Sequence, residues 1–139
     1  MRIVAVDSVG SVTFGGAPGR RMIPGLGTSI RPPLLDLSYV DEVILVEEAD
    51  TIRVCHRLAR NGFLFGGSTG TVVSGAMSWL AAHDGDDLTA VAIAPDFGER
   101  YLDTIYQANW LQKLYGADVL GSDGLTAASR QPEPAPSAR

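Results

Sequence analysis

Apolar residues follow two different rhythms along this chain. Ile3 to Val6 is a continuous apolar run, the pattern of a strand covered on both faces, and Asp41 to Val46 predicts the next strand. From Glu48 to Arg60 the spacing changes: Ile52, Cys55, Leu58 and Ala59 recur at helical intervals, and Asn61-Gly62 supplies a stop. Beyond it, Phe63 to Phe65 predicts a short strand and Thr69 to Ala82 a helix rich in small residues. His83 to Asp87 then predicts a turn, Leu88 to Ala94 a buried strand, and Glu99 to Tyr115 a helix with Leu102, Ile105, Tyr106 and Trp110 turned inward. The stretch from Phe14 to Pro33 is too dense in glycine and proline for a regular element and predicts a long, shaped loop.

Strands alternating with helices predict βαβ units: an α/β fold, a three-layer, mainly parallel sheet with flanking helices, and ligands at the carboxyl ends of the strands. The ordered body is expected over residues 1–117. Residues 118–139, dominated by Gly, Ser, Ala and Pro, are expected to form a disordered tail.

Composition narrows the function classes. A chain of 139 residues, 45% apolar, with mean hydropathy +0.11, describes one soluble domain. A net charge of -5 and a pI near 4.8 argue against nucleic acid or an anionic membrane as partner, since both need a basic patch. The single cysteine, Cys55, excludes an internal disulfide and is expected to be a small buried hydrophobe in a reducing compartment. No apolar run reaches the roughly 18 to 20 residues of a membrane span, so a cytoplasmic protein is expected.

The sharpest chemical signal is FLFGGSTGTVV, Phe63 to Val73: an apolar strand, a glycine turn, the hydroxyl of Ser68, then a helix. A turn opening a helix aims free N–H groups and a short side chain at one spot, suited to a small anionic or heteroaromatic ligand. Gly66 to Gly70 formally matches the G-x-S-x-G nucleophile elbow, but that motif needs an acid and then a histidine downstream. His83 is the only later histidine, no Asp or Glu lies between it and Ser68, and it would sit about 20 Å along the helix. A phosphate loop is weaker still, because neither GK[ST] nor G-x-G-x-x-G is present. A tight turn whose serine caps the helix remains physically adequate.

GFLFGGSTGTVVSGA followed by VAIAPDFGERYLDTIY resembles the carboxy-terminal part of the cysteine synthase family of fold-type II pyridoxal-phosphate enzymes. Upstream, IPGLGTSIRPPLLD and VDEVILVEEADTIRVCHRLA are similar to that family's glycine loop, strand and helix, in the same order, so the resemblance runs from about Ile3 to Trp110. Within the family, DSVGSVTFGG and PGLGTSIRP are most similar to the branch that joins O-phosphoserine to glutamate towards 2,3-diaminopropionate, a precursor of siderophores and peptide antibiotics.

The resemblance implies pyridoxal 5'-phosphate as cofactor of the complete enzyme, with Ser68 hydrogen-bonded to its pyridine nitrogen and Gly67 beside it. A hydroxyl cannot keep that nitrogen protonated as a carboxylate would, which suits β-elimination and replacement. It implies that Gly25 and Gly27 lie in a backbone loop that approaches substrate, and that Pro95 and Asp96 line the far side of the cofactor ring. For Asp96 a helix cap ahead of Gly98 is the competing reading. Gly98 to Tyr101 reads as a structural helix start, with Arg100 in an ion pair, and Arg31 as a solvated loop arginine rather than a carboxylate ligand. No metal ligand is expected.

The same resemblance marks what this chain lacks. Family members carry a Schiff-base lysine and a glycine–threonine phosphate loop in their amino-terminal half, whereas the one lysine here, Lys113, lies beyond the matched motifs in the final helix. No catalytic residue is therefore expected in this chain. Two readings follow: the carboxy-terminal portion of a β-replacement synthase acting on an O-activated serine, inactive without its amino-terminal half or a homo-oligomeric assembly, or a non-catalytic remnant that keeps the fold as a binding module.

Overall fold

The computed structural model describes residues 1–83 and 87–121, with the backbone of Ser129 and Arg130. Two strands form its parallel pair: β1 (Val4–Ser8) and β2 (Glu42–Val46), in register from Val4 opposite Glu42 to Ser8 opposite Val46. A two-residue strand, β3 (Ser129–Arg130), adds antiparallel to β2. Their β-branched residues suit a pleated surface packed on its faces, and Val43, Ile44 and Val46 are buried.

Helix α1 (Glu48–Arg60) starts and stops where the apolar spacing predicts. Its first turn carries Glu48 and Asp50 and its last Arg57 and Arg60, charges that complement the helix dipole at both ends. Its inward face is Thr51, Ile52, Val54 and Cys55. Helix α2 (Gly67–Ala81) lies between this face and the sheet, and small residues permit both contacts. A β-carbon on Gly75 would sit 2.5 Å from Val6 of β1, and one on Gly70 would sit 2.3 Å from Cys55 Sγ. Thr51 and Thr71 bridge the two helices through their hydroxyls at 2.8 Å.

The glycine-rich stretch is a loop of definite shape, as predicted. The Glu48 carboxylate accepts the N–H groups of Met22 (2.8 Å) and Ile23 (2.7 Å) and the Tyr115 hydroxyl (2.7 Å). Ser11 Oγ accepts the Thr28 N–H at 2.9 Å, and Arg21 Nε donates to the Leu26 carbonyl at 3.0 Å. Ile23 and Leu26 of this loop join Ile52, Cys55, Tyr101, Ile105, Leu111 and Val119 in the main apolar cluster.

Four expectations need correction. Phe63 to Phe65 is not a strand; only Phe65 makes a bridge, antiparallel to Phe97. Leu88 to Ala94 is neither strand nor buried: Leu88, Val91 and Ile93 are 46%, 89% and 76% exposed. A strand needs a neighbour to take its backbone hydrogen bonds, and among the described residues none lies beside this one. The helix expected over Glu99–Tyr115 is broken into a 3-10 turn, Gly98–Tyr101, and helix α3, Ala108–Tyr115, with Leu102 exposed between them. Gln107 is the reason for the late start: its side chain caps α3 by accepting the Trp110 N–H. Ordered structure continues past residue 117 as a 3-10 turn, Ala117–Leu120, that buries Val119. Residues 84–86 of the expected turn and 122–128 and 131–139 of the expected tail lie outside the described residues.

Candidate functional site

The amino terminus of α2 is the centre of the site. Its cap position is Gly66, which has no side chain to accept the first free N–H groups. Asp96 takes that role from 28 residues downstream: its carboxylate accepts the N–H groups of Ser68 at 3.0 Å and Thr69 at 2.8 Å, and the Thr69 hydroxyl at 2.8 Å. Backbone bonds from Gly66 N–H to the Asp96 carbonyl (3.2 Å) and from Gly98 N–H to the Leu64 carbonyl (3.0 Å) hold the two segments together. Asp96 therefore caps α2, not the turn that follows it. Gly66 must lack a side chain here, since a β-carbon would meet the Asp96 carboxylate at 2.4 Å and the Tyr101 ring at 2.5 Å.

Burial pushes the Asp96 carboxyl up, but hydrogen bonds from Tyr101, Thr69 and Ser68 outweigh it and hold the group below the usual carboxylate range. Asp96 is an anion at neutral pH. Tyr101 also donates its hydroxyl to Asp96, at 2.8 Å, and lies 3.3 Å from the Pro24 carbonyl in the glycine loop. Burial, and then the carboxylate it donates to, push this phenol up to about 12.

These contacts unite most of the residues singled out in the sequence. Gly67 is buried in the first turn of α2, and Ser68 is half-buried beside it. Since Asp96 does the capping, the Ser68 hydroxyl is not spent on it. Gly25 adopts φ +82°, a conformation that favours glycine, and a β-carbon there would lie 3.6 Å from the Tyr101 hydroxyl. Gly27, at φ +64°, packs instead against Ser11, with 2.6 Å between its built β-carbon and Ser11 Cβ. Pro95 is exposed on the uncovered stretch that leads to Asp96.

Lys113, Arg31 and Arg100 are exposed, and His83 is occupied with Trp79, its Nδ1–H donating to the Trp79 carbonyl at 2.8 Å and its ring stacked on the indole at 3.8 Å. From its place in GERY, Tyr101 has only a structural signature in the sequence. Its role was invisible because its partners are the Pro24 carbonyl and a carboxylate that has been drawn to another helix.

Cys55 lies directly behind the site, fully buried, with its Sγ 3.4 Å from the Gly66 carbonyl. Burial, and then the Asp96 charge, push the thiol up to about 12. The thiolate is the reactive form, so Cys55 should resist aromatic disulfide reagents in the folded chain and react at once in denaturant. Reaction of the native chain as fast as a free thiol would contradict this.

A parallel strand pair packed on a helix that opens at a Gly-Gly-Ser-Thr-Gly turn, opposite a glycine loop, is the arrangement of the fold-type II pyridoxal-phosphate enzymes of the cysteine synthase kind, and this chain has part of that fold. Cysteine synthase from Entamoeba histolytica superposes with a TM-score of 0.70 over 88% of this chain and 38% of its own, at 26% identity. In sequence the chain is similar to the carboxy-terminal part of N-(2-amino-2-carboxyethyl)-L-glutamate synthase from Ralstonia nicotianae, 44% identical over 93% of this chain and 38% of the relative. The synthase of the same name from Cupriavidus metallidurans is 43% identical over 82% of this chain and 34% of its own length. The chain thus spans little more than a third of the curated relatives it matches. No protein-family model matches it.

Proposed function

We propose that this chain is the cofactor-side, carboxy-terminal portion of a pyridoxal-phosphate-dependent β-replacement synthase, functional only together with an amino-terminal portion. Its substrate by this reading is an O-activated serine, O-phosphoserine or O-acetylserine, and the nucleophile an amine or sulfide. Similarity to the two N-(2-amino-2-carboxyethyl)-L-glutamate synthases favours glutamate as that amine, and with it a cytoplasmic role in making 2,3-diaminopropionate for siderophores. The observation that carries the reading is the division of labour at α2: Asp96 caps the helix, so the Ser68 hydroxyl, which lies against the Tyr101 hydroxyl, is not spent on capping.

The residues present fit the ring-nitrogen end of pyridoxal phosphate. Ser68 would hold the pyridine nitrogen, Asp96 fixes the backbone that carries Ser68, and Gly25 leaves room for substrate at the loop. When bound, the cofactor supplies an electron sink that lets the β-substituent of an amino acid depart. A serine hydroxyl, being neutral, leaves that sink milder than a carboxylate would. The phosphate end and the lysine must come from elsewhere, since the only lysine is Lys113, exposed on α3.

Incompleteness also accounts for the exposed apolar side chains of Leu88, Val91, Ile93 and Phe97, which run along one uninterrupted stretch and invite strand partners. Mixing the chain with the amino-terminal portion of the Ralstonia synthase should bury this surface, seen as loss of hydrophobic-dye fluorescence, and generate pyridoxal-phosphate-dependent β-replacement. A lone chain that is monomeric and binds no dye, or a borohydride-trapped cofactor adduct at Lys113, would overturn the proposal.

A further inference from the structure

The Tyr101 hydroxyl stands between two acceptors that belong to different parts of the site, Asp96 Oδ2 at 2.8 Å and the Pro24 carbonyl at 3.3 Å. A phenol has one proton to give. In the geometry observed it goes to the carboxylate, the nearer and charged acceptor, and the carbonyl receives at most a weak share. The ring cannot swing away to resolve the competition. It is buried, with Gly66 and Gly67 leaving no room between it and the first turn of α2: β-carbons there would lie 2.5 Å and 3.2 Å from its edge. The choice of acceptor is therefore a rotation of one O–H bond, with the rest of the side chain fixed.

We propose that Tyr101 is a positioning residue whose hydroxyl couples the glycine loop at Pro24–Gly25 to the amino terminus of α2. While Asp96 is ionised, the proton points to it and the crest of the loop is released. When the Asp96 charge is neutralised, the proton turns to the Pro24 carbonyl and draws the loop towards Ser68. The rest of the loop does not depend on Tyr101, because Glu48, Ser11 and Arg21 anchor it on either side of Pro24. That confines the movement to the crest, where Gly25 lies beside the hydroxyl. What the two ends touch, substrate at the loop and cofactor at Ser68, rests on the function proposed above; the coupling itself does not.

The coupling is testable in this chain alone by following backbone amide resonances through an acid titration. The titratable groups facing Asp96 are Tyr101, Cys55 on α1 and Tyr106; all three are raised, so among these groups Asp96 alone changes charge in acid. The Glu48 carboxylate on the Met22 and Ile23 N–H groups is a separate source of acid shifts in the loop, one that Asp96→Asn leaves in place. In the native chain the Ser68 and Thr69 amides should shift as Asp96 protonates, and Gly25 should shift with the same midpoint. In Tyr101→Phe, which keeps the ring and its packing, Ser68 and Thr69 should still titrate, at a higher midpoint because one donor to the carboxylate is gone, while the Gly25 response disappears. Asp96→Asn should abolish the Ser68 and Thr69 responses together with the part of the Gly25 response that shares their midpoint. A Gly25 amide that ignores Asp96 in the native chain, or that follows it equally in Tyr101→Phe, overturns the proposal. The native titration decides the matter even if the phenylalanine variant does not fold. Failure here would leave the cofactor reading standing, and failure to gain activity with an amino-terminal portion would leave the Tyr101 coupling standing.

Discussion

Replacing Asp96 with alanine will destabilise the folded chain by about 2 to 4 kcal/mol at neutral pH, read from denaturant unfolding. The loss has two parts. Removing a side-chain cap costs about 0.5 to 2 kcal/mol, and the Thr69 and Tyr101 hydroxyls, both hydrogen-bonded to a charged group, lose bonds of about 1.5 to 3 kcal/mol each before water replaces some of them. Because Asp96 is half-exposed, water does replace part of this, which keeps the expected total below the sum. The pH dependence separates charge from packing. The folded carboxyl is held below its ordinary value of 3.8, so its ionic contribution is fully present above that value and is lost as pH falls through the lower folded value. The gap between the native chain and Asp96→Ala should therefore be widest near neutrality and shrink by about pH 2 to what a neutral cap supplies. A gap that stays constant over this range would mean that the cap acts without its charge.

This residue also shows where sequence reading succeeds and where it stops. Helix α1 was legible at both ends because everything that defines it is local: acidic residues in the first turn, an apolar stripe at helical spacing, basic residues in the last turn, and Asn61-Gly62 to end it. The glycine turn into α2 was legible for the same reason. The Asp96 cap was not, since a carboxylate that reaches back 28 residues has no local signature, and its nearest helix in sequence was the wrong one.

Leu88 to Ala94 failed in a more instructive way. Its apolar pattern describes a buried strand, but burial and hydrogen bonding belong to whatever lies alongside, and in a chain spanning little more than a third of its relatives the described residues provide no neighbour. The pattern records a fold larger than the segment that carries it. By contrast, the glycine loop was predicted as a shaped loop, yet its contribution of Ile23 and Leu26 to the main apolar cluster could not be read from breaker residues alone.

Gly70→Ala should be the most damaging single-methyl addition in the body of the chain, costing about 2 to 3 kcal/mol net. In an open helix the change would gain about 1 kcal/mol, because glycine is the poorer helix former. Here the new β-carbon would sit 2.3 Å from Cys55 Sγ and 2.9 Å from the Thr51 carbonyl, inside the closest contact between α1 and α2. The carbonyl belongs to the α1 backbone and cannot move aside singly. Relief requires the helices to separate, which pulls apart the Thr51–Thr71 hydroxyl bridge and loosens the backing of the Ser68 turn. Because Cys55 makes the shorter of the two contacts, Cys55→Ala should recover part of the loss. Combined in one chain, the two substitutions should be less destabilising than the sum of the singles by about 1 to 2 kcal/mol. Strict additivity would place the strain somewhere other than the Gly70–Cys55 contact. Because the Ser68 turn begins only two residues before Gly70, the same variant should blunt the acid response of the Ser68 and Thr69 amides, tying the packing of the two helices to the geometry of the site.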